Sequence, residues 1–202
     1  MDGQVQHNSE RIGRGYTVGI RTTCLCLIQR DGYYLLQETQ LASSGRIMYR
    51  PVGGTMEPGE CSLQTVIREV REEIGADLID PQLLYIIENH YEVPIHEAAE
   101  QSHEAAGDND IRVASGDNSI KANELCFIYT AEMADESLYE QSRIIGTEGE
   151  QTYTAVWKSL QEIQDVASAF LVPSNLLELL LAEQEGKPYI SPLHHRIRHT
   201  EQ

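Results

Sequence analysis

Apolar and polar positions alternate early in the chain with the two-residue period of a strand. Residues 16–28 (YTVGIRTTCLCLI) are rich in β-formers, and Val18, Ile20, Cys24, Cys26 and Ile28 fall on one side. Asp31-Gly32 then supplies the two residues that a tight hairpin turn favours, so residues 33–38 are predicted to return beside the first strand. Residues 47–52 read as a third strand, with Pro51 marking an edge or an irregularity. The period changes at residue 62. Leu63, Val66, Ile67, Val70 and Ile74 recur at helical spacing. Ser62 is placed as the N-cap and Gly75 as the left-handed residue that ends the helix. Further strands are predicted at residues 83–93, 125–133 and 152–157. A short helical turn begins at Ser159, and a terminal helix covers residues 173–184.

Two stretches carry no period. Residues 134–151 read as a polar loop around Gly146 and Gly149. Residues 94–121, rich in Glu, Ala, Gly, Asp, Asn and Ser, read as an insertion between strands, either a mobile loop or a lid over a substrate. The expected organisation is a loosely held segment 1–15, a domain 16–185 carrying the insertion, and a basic, His-rich tail 186–202. The order of elements predicts an α+β fold with helices on the faces of a curved mixed sheet.

Charge narrows the function. Fifteen Lys and Arg face 32 Asp and Glu in 202 residues, for a net charge of −17. Such a surface repels nucleic-acid backbones and anionic membranes, so neither a nucleic-acid polymer nor a membrane is an expected partner. No run of 18 apolar residues predicts a membrane helix, and residues 1–15 lack the apolar core of a secretory signal. Cys24, Cys26, Cys61 and Cys126 have no zinc-site spacing and are expected to be reduced, partly buried thiols of a cytoplasmic protein.

The helix holds the chemistry. Glu69, Glu72 and Glu73 at i, i+3 and i+4 share one face. Like charges at that spacing destabilise a helix by a few tenths of a kcal/mol per pair. A hard divalent cation such as Mg²⁺ gives them a purpose, because carboxylate oxygens are its preferred ligands.

The wider spacing is specific: Gly54, five residues, Glu60, seven residues, Arg68-Glu69-Val70, one residue, Glu72-Glu73, one residue, Gly75. It resembles the signature of the Nudix, or MutT-type, pyrophosphohydrolases. Only Ala76 departs, where the family prefers a bulky apolar residue. The segments YRPVGG and VWKSL also look like family features. The resemblance implies a Nudix α/β/α sandwich that hydrolyses a diphosphate linkage in a nucleoside diphosphate derivative, with Mg²⁺ or Mn²⁺ as cofactor. By the same resemblance Glu72 and Glu73 are cation ligands and Glu69 completes the cluster. A backbone carbonyl of Gly53 or Gly54 adds an oxygen. Gly54, Glu60, Arg68 and Gly75 are structural within the motif, with Glu60 and Arg68 paired. The base that takes a proton from water is expected to be Glu148, with Glu150 and Glu73 as alternatives. Arg50 is placed either on a substrate phosphate or base or in a structural ion pair. Family members are often dimers, so a homodimer stays open. The alternative function is a Nudix-fold domain that binds a nucleotide without turning it over.

Overall fold

The structure is a computed structural model that describes residues 20–42, 44–94, 113–115, 119–148, 151–187 and 193–195. Strand β1 (Arg21–Arg30) turns through Asp31 and Gly32 into β2 (Tyr33–Gln40). Both turn residues have positive φ, 50° and 82°, as the hairpin prediction required. β3 (Ile47–Thr55), helix α1 (Ser62–Ile74), β4 (Leu78–Pro94), β5 (Val113–Ser115) and β6 (Ser119–Met133) follow. A 3₁₀ turn (Glu136–Glu140) leads to β7 (Arg143–Glu148) and β8 (Gln151–Ser159). Helix α2 (Leu160–Asp165), β9 (Ala169–Leu171), helix α3 (Leu176–Gln184) and β10 (Leu193–His195) complete the order.

The strands form one mixed sheet, ordered β10-β4-β6-β1-β3-β2-β8-β7, with β5 on β6 and β9 on β3. Its centre is a splay. β1 and β2 pair only near their turn, at Ile28–Leu35 to Arg30–Tyr33. Beyond it they diverge and β3 runs between them, its first half on β2 (Ile47 to Pro51) and its second on β1 (Val52 to Thr55). Pro51 stands at the changeover between partners, which is the irregularity its missing N–H predicted.

β1 is buried on both faces, so its alternation sorts residues between two cores rather than between core and solvent. Cys24, Cys26 and Ile28 join Val52, Val66, Val70 and Ile74 under α1. Leu25 and Leu27 join Leu160, Ile163, Leu176, Leu179 and Leu180 under α2 and α3. Helices on both faces make the α/β/α sandwich that was expected. Ile20, placed by alternation on the same side as Cys24, Cys26 and Ile28, is 67% exposed because it precedes the paired part of β1.

Other elements depart from the expected boundaries. β4 and β6 pair antiparallel as far as Pro94–Ser119, so the hairpin reaches into residues taken for the insertion. β5 adds a further short strand there. Residues 95–112 and 116–118 of that stretch lie outside the described residues, as do 1–19 and 196–202. The polar loop predicted for 134–151 is instead a 3₁₀ turn and β7, an edge strand whose Ile144 is buried and whose Ile145 is exposed. The terminal helix starts at Leu176, not 173, with Asn175 as its N-cap. Ser159 caps α2 as expected, exchanging hydrogen bonds with Glu162. Among the described residues no helix is long and apolar enough to cross a membrane.

Candidate active site

Where β3 crosses to β1, its glycines let the backbone run under α1. Gly53 has φ 140°, and a Cβ there would lie 2.2 Å from the Cys24 carbonyl oxygen. A Cβ on Gly54 would meet the Glu69 carboxylate at 2.3 Å. The two glycines thus make room for a carboxylate directly on the strand.

Helix α1 begins after Cys61, one residue before the predicted cap. The Cys61 N–H donates to Gln64 Oε1 at 2.9 Å, while Ser62, inside the helix, shares a hydrogen bond with the Tyr129 hydroxyl at 2.7 Å. The C-terminus is as expected: Gly75 sits at φ 68° with its N–H on the Arg71 carbonyl. The buried face differs from the apolar stripe. Leu63 is 40% exposed, whereas Thr65, Glu69 and Glu73 are buried beside Val66, Val70 and Ile74. The helix presses its acidic edge, not only its apolar stripe, onto β3 and β7.

Arg68 holds the acidic groups. Its Nε and Nη2 donate to the two oxygens of Glu60 at 2.7 and 2.9 Å, and Nη2 also reaches the Thr55 carbonyl at 3.1 Å. Nη1 donates to Glu69 at 2.9 Å and to Glu72 at 2.8 Å. Five N–H groups meet five acceptors, a geometry a lysine could not reproduce. Glu60 accepts further from the Glu57 N–H and the Thr65 hydroxyl, at 3.2 and 2.9 Å. The Arg68 guanidinium and these donors hold the Glu60 carboxyl down at about 2. Its carboxylates in turn push the Arg68 guanidinium above its ordinary value, against the opposing effect of burial.

Glu73 is held from another side. It is 2% exposed; one oxygen accepts the Gly53 N–H at 2.7 Å and the other faces Arg50 Nη2 at 3.3 Å. The structure therefore gathers Glu69, Glu72, Glu73, Gly53, Gly54, Glu60, Arg68 and Arg50 at one place, with Gly75 ending the helix behind them. The Gly53 group seen in contact with Glu73 is its N–H. Among the described residues, no three His, Cys, Asp or Glu side chains converge in a metal-binding arrangement; Arg68 lies among these carboxylates instead.

Glu148 is the last residue of β7, opposite Gln151 in β8. Two residues earlier in that strand, Gly146 lies so close to α1 that a Cβ there would fall 1.5 Å from the Glu73 carbonyl oxygen. Glu150 lies outside the described residues. Trp157 is half-buried, packs beside the core under α1, stacks on Tyr139 at 5.8 Å and donates to the Gln141 carbonyl. His90 pairs with Asn123 at 2.8 Å on the distant β4–β6 hairpin. His194 and His195 belong to β10, and His199 lies outside the described residues.

Sequence reasoning missed Gln37. It faces Arg50 across the β2–β3 ladder and accepts from Arg50 Nε and Nη2 at 3.1 and 2.6 Å. Only the strand register reveals that pair.

A family model, the NUDIX domain, matches residues 19–180. The chain belongs to the Nudix family. A nucleoside triphosphatase, NudI, of Salmonella agona is 44% identical over 62 residues, 29% of this chain and 43% of that protein. A CTP pyrophosphohydrolase of Escherichia coli is 37% identical over 51 residues, 25% of this chain and 38% of that protein. The matched stretches thus span less than half of either curated relative. Two Nudix hydrolase structures from Nitrosomonas europaea share the fold. One, 21% identical, covers 85% of this chain and 93% of its own; the other, 18% identical, covers 90% and 81%. Each has a TM-score of 0.50. As a Nudix chain it carries the family's acidic helix on the glycine-bearing strand.

Proposed function

We propose that this Nudix domain, residues 16–185, is a divalent-cation-dependent pyrophosphohydrolase acting on a nucleoside diphosphate linked to another group. The observation that carries the reading is Glu73. It is a buried carboxylate anchored by the Gly53 N–H and Arg50, beside Glu69 and Glu72 on the same helix face. Burying an acidic edge is costly, and a helix serving only as packing would present apolar residues there.

The donor set fits Mg²⁺ or Mn²⁺, since it consists of carboxylate oxygens beside a backbone strand. Glu69, Glu72 and Glu73 would hold the cation, with the Gly53 or Gly54 carbonyl as a further oxygen. Glu72, the exposed member, exchanges its Arg68 contact most readily. Bound there, the cation supplies charge neutralisation at the phosphoryl oxygens and lowers the pKa of water.

The chain's own groups do the rest. Arg50, beside Glu73, takes a phosphoryl oxygen of the substrate and holds the diphosphate against the helix face. Glu60 and Arg68 tie the loop at residues 56–61 to α1, so the carboxylates are already oriented when substrate arrives. Glu148 is assigned as general base because β7 runs along the C-terminal end of α1. Water attacks one phosphorus, its proton passes to that carboxylate, and the bridging phosphorus–oxygen bond breaks to release two phosphorylated products. Two similar proteins, a nucleoside triphosphatase and a CTP pyrophosphohydrolase, favour nucleoside triphosphates, which are nucleoside diphosphates linked to phosphate.

A panel of nucleoside triphosphates, nucleotide sugars and dinucleoside polyphosphates, assayed with Mg²⁺ and with Mn²⁺, tests the reading. Turnover should need the cation, and Glu73→Gln and the exposed Glu72→Gln should each lower kcat on the order of 10²-fold or more. Their melting temperatures should stay near that of the parent. Full activity in both variants would falsify the site. Cation-dependent binding without turnover of any nucleotide would favour the non-catalytic alternative.

A further inference from the structure

Gln37 lies in β2 directly opposite Arg50 in β3, and in a ladder such opposed side chains share a face. Its Oε1 accepts two hydrogen bonds from Arg50, at 3.1 and 2.6 Å, while the Arg50 contact to Glu73 is a single one at 3.3 Å. The arginine is therefore anchored on Gln37 and leans on Glu73. Because a guanidinium only donates, the end of the amide facing it must be the oxygen. The amide nitrogen points elsewhere. Gln37 is only 6% exposed, and among the described residues its Nε2 is buried with no hydrogen-bond partner.

A buried amide with one end unsatisfied weakens a fold, and an apolar residue of the same size would avoid that cost. Such a group persists where it serves something other than stability. Here it fixes the orientation of one side chain. With Nε and Nη2 held by Gln37 and Glu73, among the described residues no partner is found for Arg50 Nη1, and the side chain remains 19% exposed.

We propose that Gln37 is a positioning residue for substrate binding: it clamps Arg50 on the carboxylate helix so that the unused edge of the guanidinium faces the diphosphate of the substrate. This rests on the phosphate-binding role given to Arg50 above. Clamping removes rotamer freedom before binding, so affinity is gained through preorganisation rather than through a contact by Gln37 itself.

A double-mutant cycle tests it. Binding of a non-hydrolysable α,β-methylene nucleoside triphosphate is measured by calorimetry in the full chain, with kcat and KM measured on the best substrate from the panel. Gln37→Met, similar in size but with only a weakly accepting thioether in place of the amide oxygen, should weaken analogue binding roughly tenfold. KM should rise by a similar factor with kcat little changed. The melting temperature should hold or increase, because an unsatisfied amide has been removed. In an Arg50→Met background the same change should cost nothing further. If Gln37→Met fails to fold, Gln37→Asn serves, since its shorter amide cannot reach Arg50.

Equal losses in both backgrounds would overturn the proposal, as would unchanged binding with a lowered melting temperature, which assigns Gln37 to packing alone. Wild-type binding by Arg50→Met would remove the parent reading of Arg50 as well. Those outcomes are separable in one set of four proteins.

Discussion

One guanidinium organises the acidic helix: Arg68 spends all five of its N–H groups on Glu60, Glu69, Glu72 and the Thr55 carbonyl. The motif spacing made the Glu60–Arg68 pair foreseeable, because Arg68 lies on the first turns of a helix whose preceding loop carries Glu60. What spacing could not show was the depth of Glu73 or the anchoring of Arg50 on Gln37. Both depend on a strand that approaches α1 from elsewhere in the chain. The Glu60 pair has a pH signature. Its carboxyl is held at about 2 against an ordinary 4.5, so the stability it confers is complete above about pH 4.5 and drains away as the pH falls toward 2. Glu60→Gln should lower the melting temperature at neutral pH and flatten its decline between those two values. A thermal-melt series against pH in both proteins reads this directly; parallel acid limbs would mean that the pair contributes nothing to stability.

Helix α1 also shows how far an element can be read from its own residues. Its existence, its C-terminal glycine and most of its apolar stripe follow from local periodicity. Its cap fell one residue early, at Cys61, since Ser62 is drawn to the Tyr129 hydroxyl by tertiary packing. Leu63 stayed exposed and Glu69 went in for the same reason: β3 and β7 approach from the acidic side. β7 itself was hidden, because a polar edge strand has too few buried positions to show a period of two. It comes close to the helix at Gly146, where a side chain would collide with the backbone of Glu73. Gly146→Ala must push β7 off the helix, which should cost about 3 kcal/mol of unfolding free energy or prevent soluble expression. Denaturant titration measures it. A variant as stable as the parent would show that the strand and helix do not pack this closely.

Across the whole molecule, the splay of β1 and β2 matters more than any single strand. By admitting β3 between them it places Gly53 and Gly54 under one helix and Leu25 and Leu27 under the others. The net charge of −17 acts on the same scale. A nucleotide substrate of the proposed kind would approach against the field of the protein, so raising monovalent salt from 10 to 150 mM at fixed divalent cation should speed association. The effect should be roughly two- to five-fold, the reverse of a nucleic-acid-binding protein. Stopped-flow binding of a fluorescent nucleotide tests this, and a rate that falls with salt would place a local cationic field at the site stronger than the global one.

The sequence alone determined the local features: the Asp31-Gly32 hairpin, the helix that follows the glycines, the Glu60–Arg68 spacing and the row of carboxylates. Each depends on residues close together in the chain, where backbone preference and side-chain period act directly. Only the tertiary structure decided which carboxylates are buried, that Gln37 meets Arg50, that β7 packs against Glu73 and that the β4–β6 hairpin continues to Pro94 and Ser119. Those are contacts between distant segments, and their register is set by the pairing of whole strands, which no local pattern encodes.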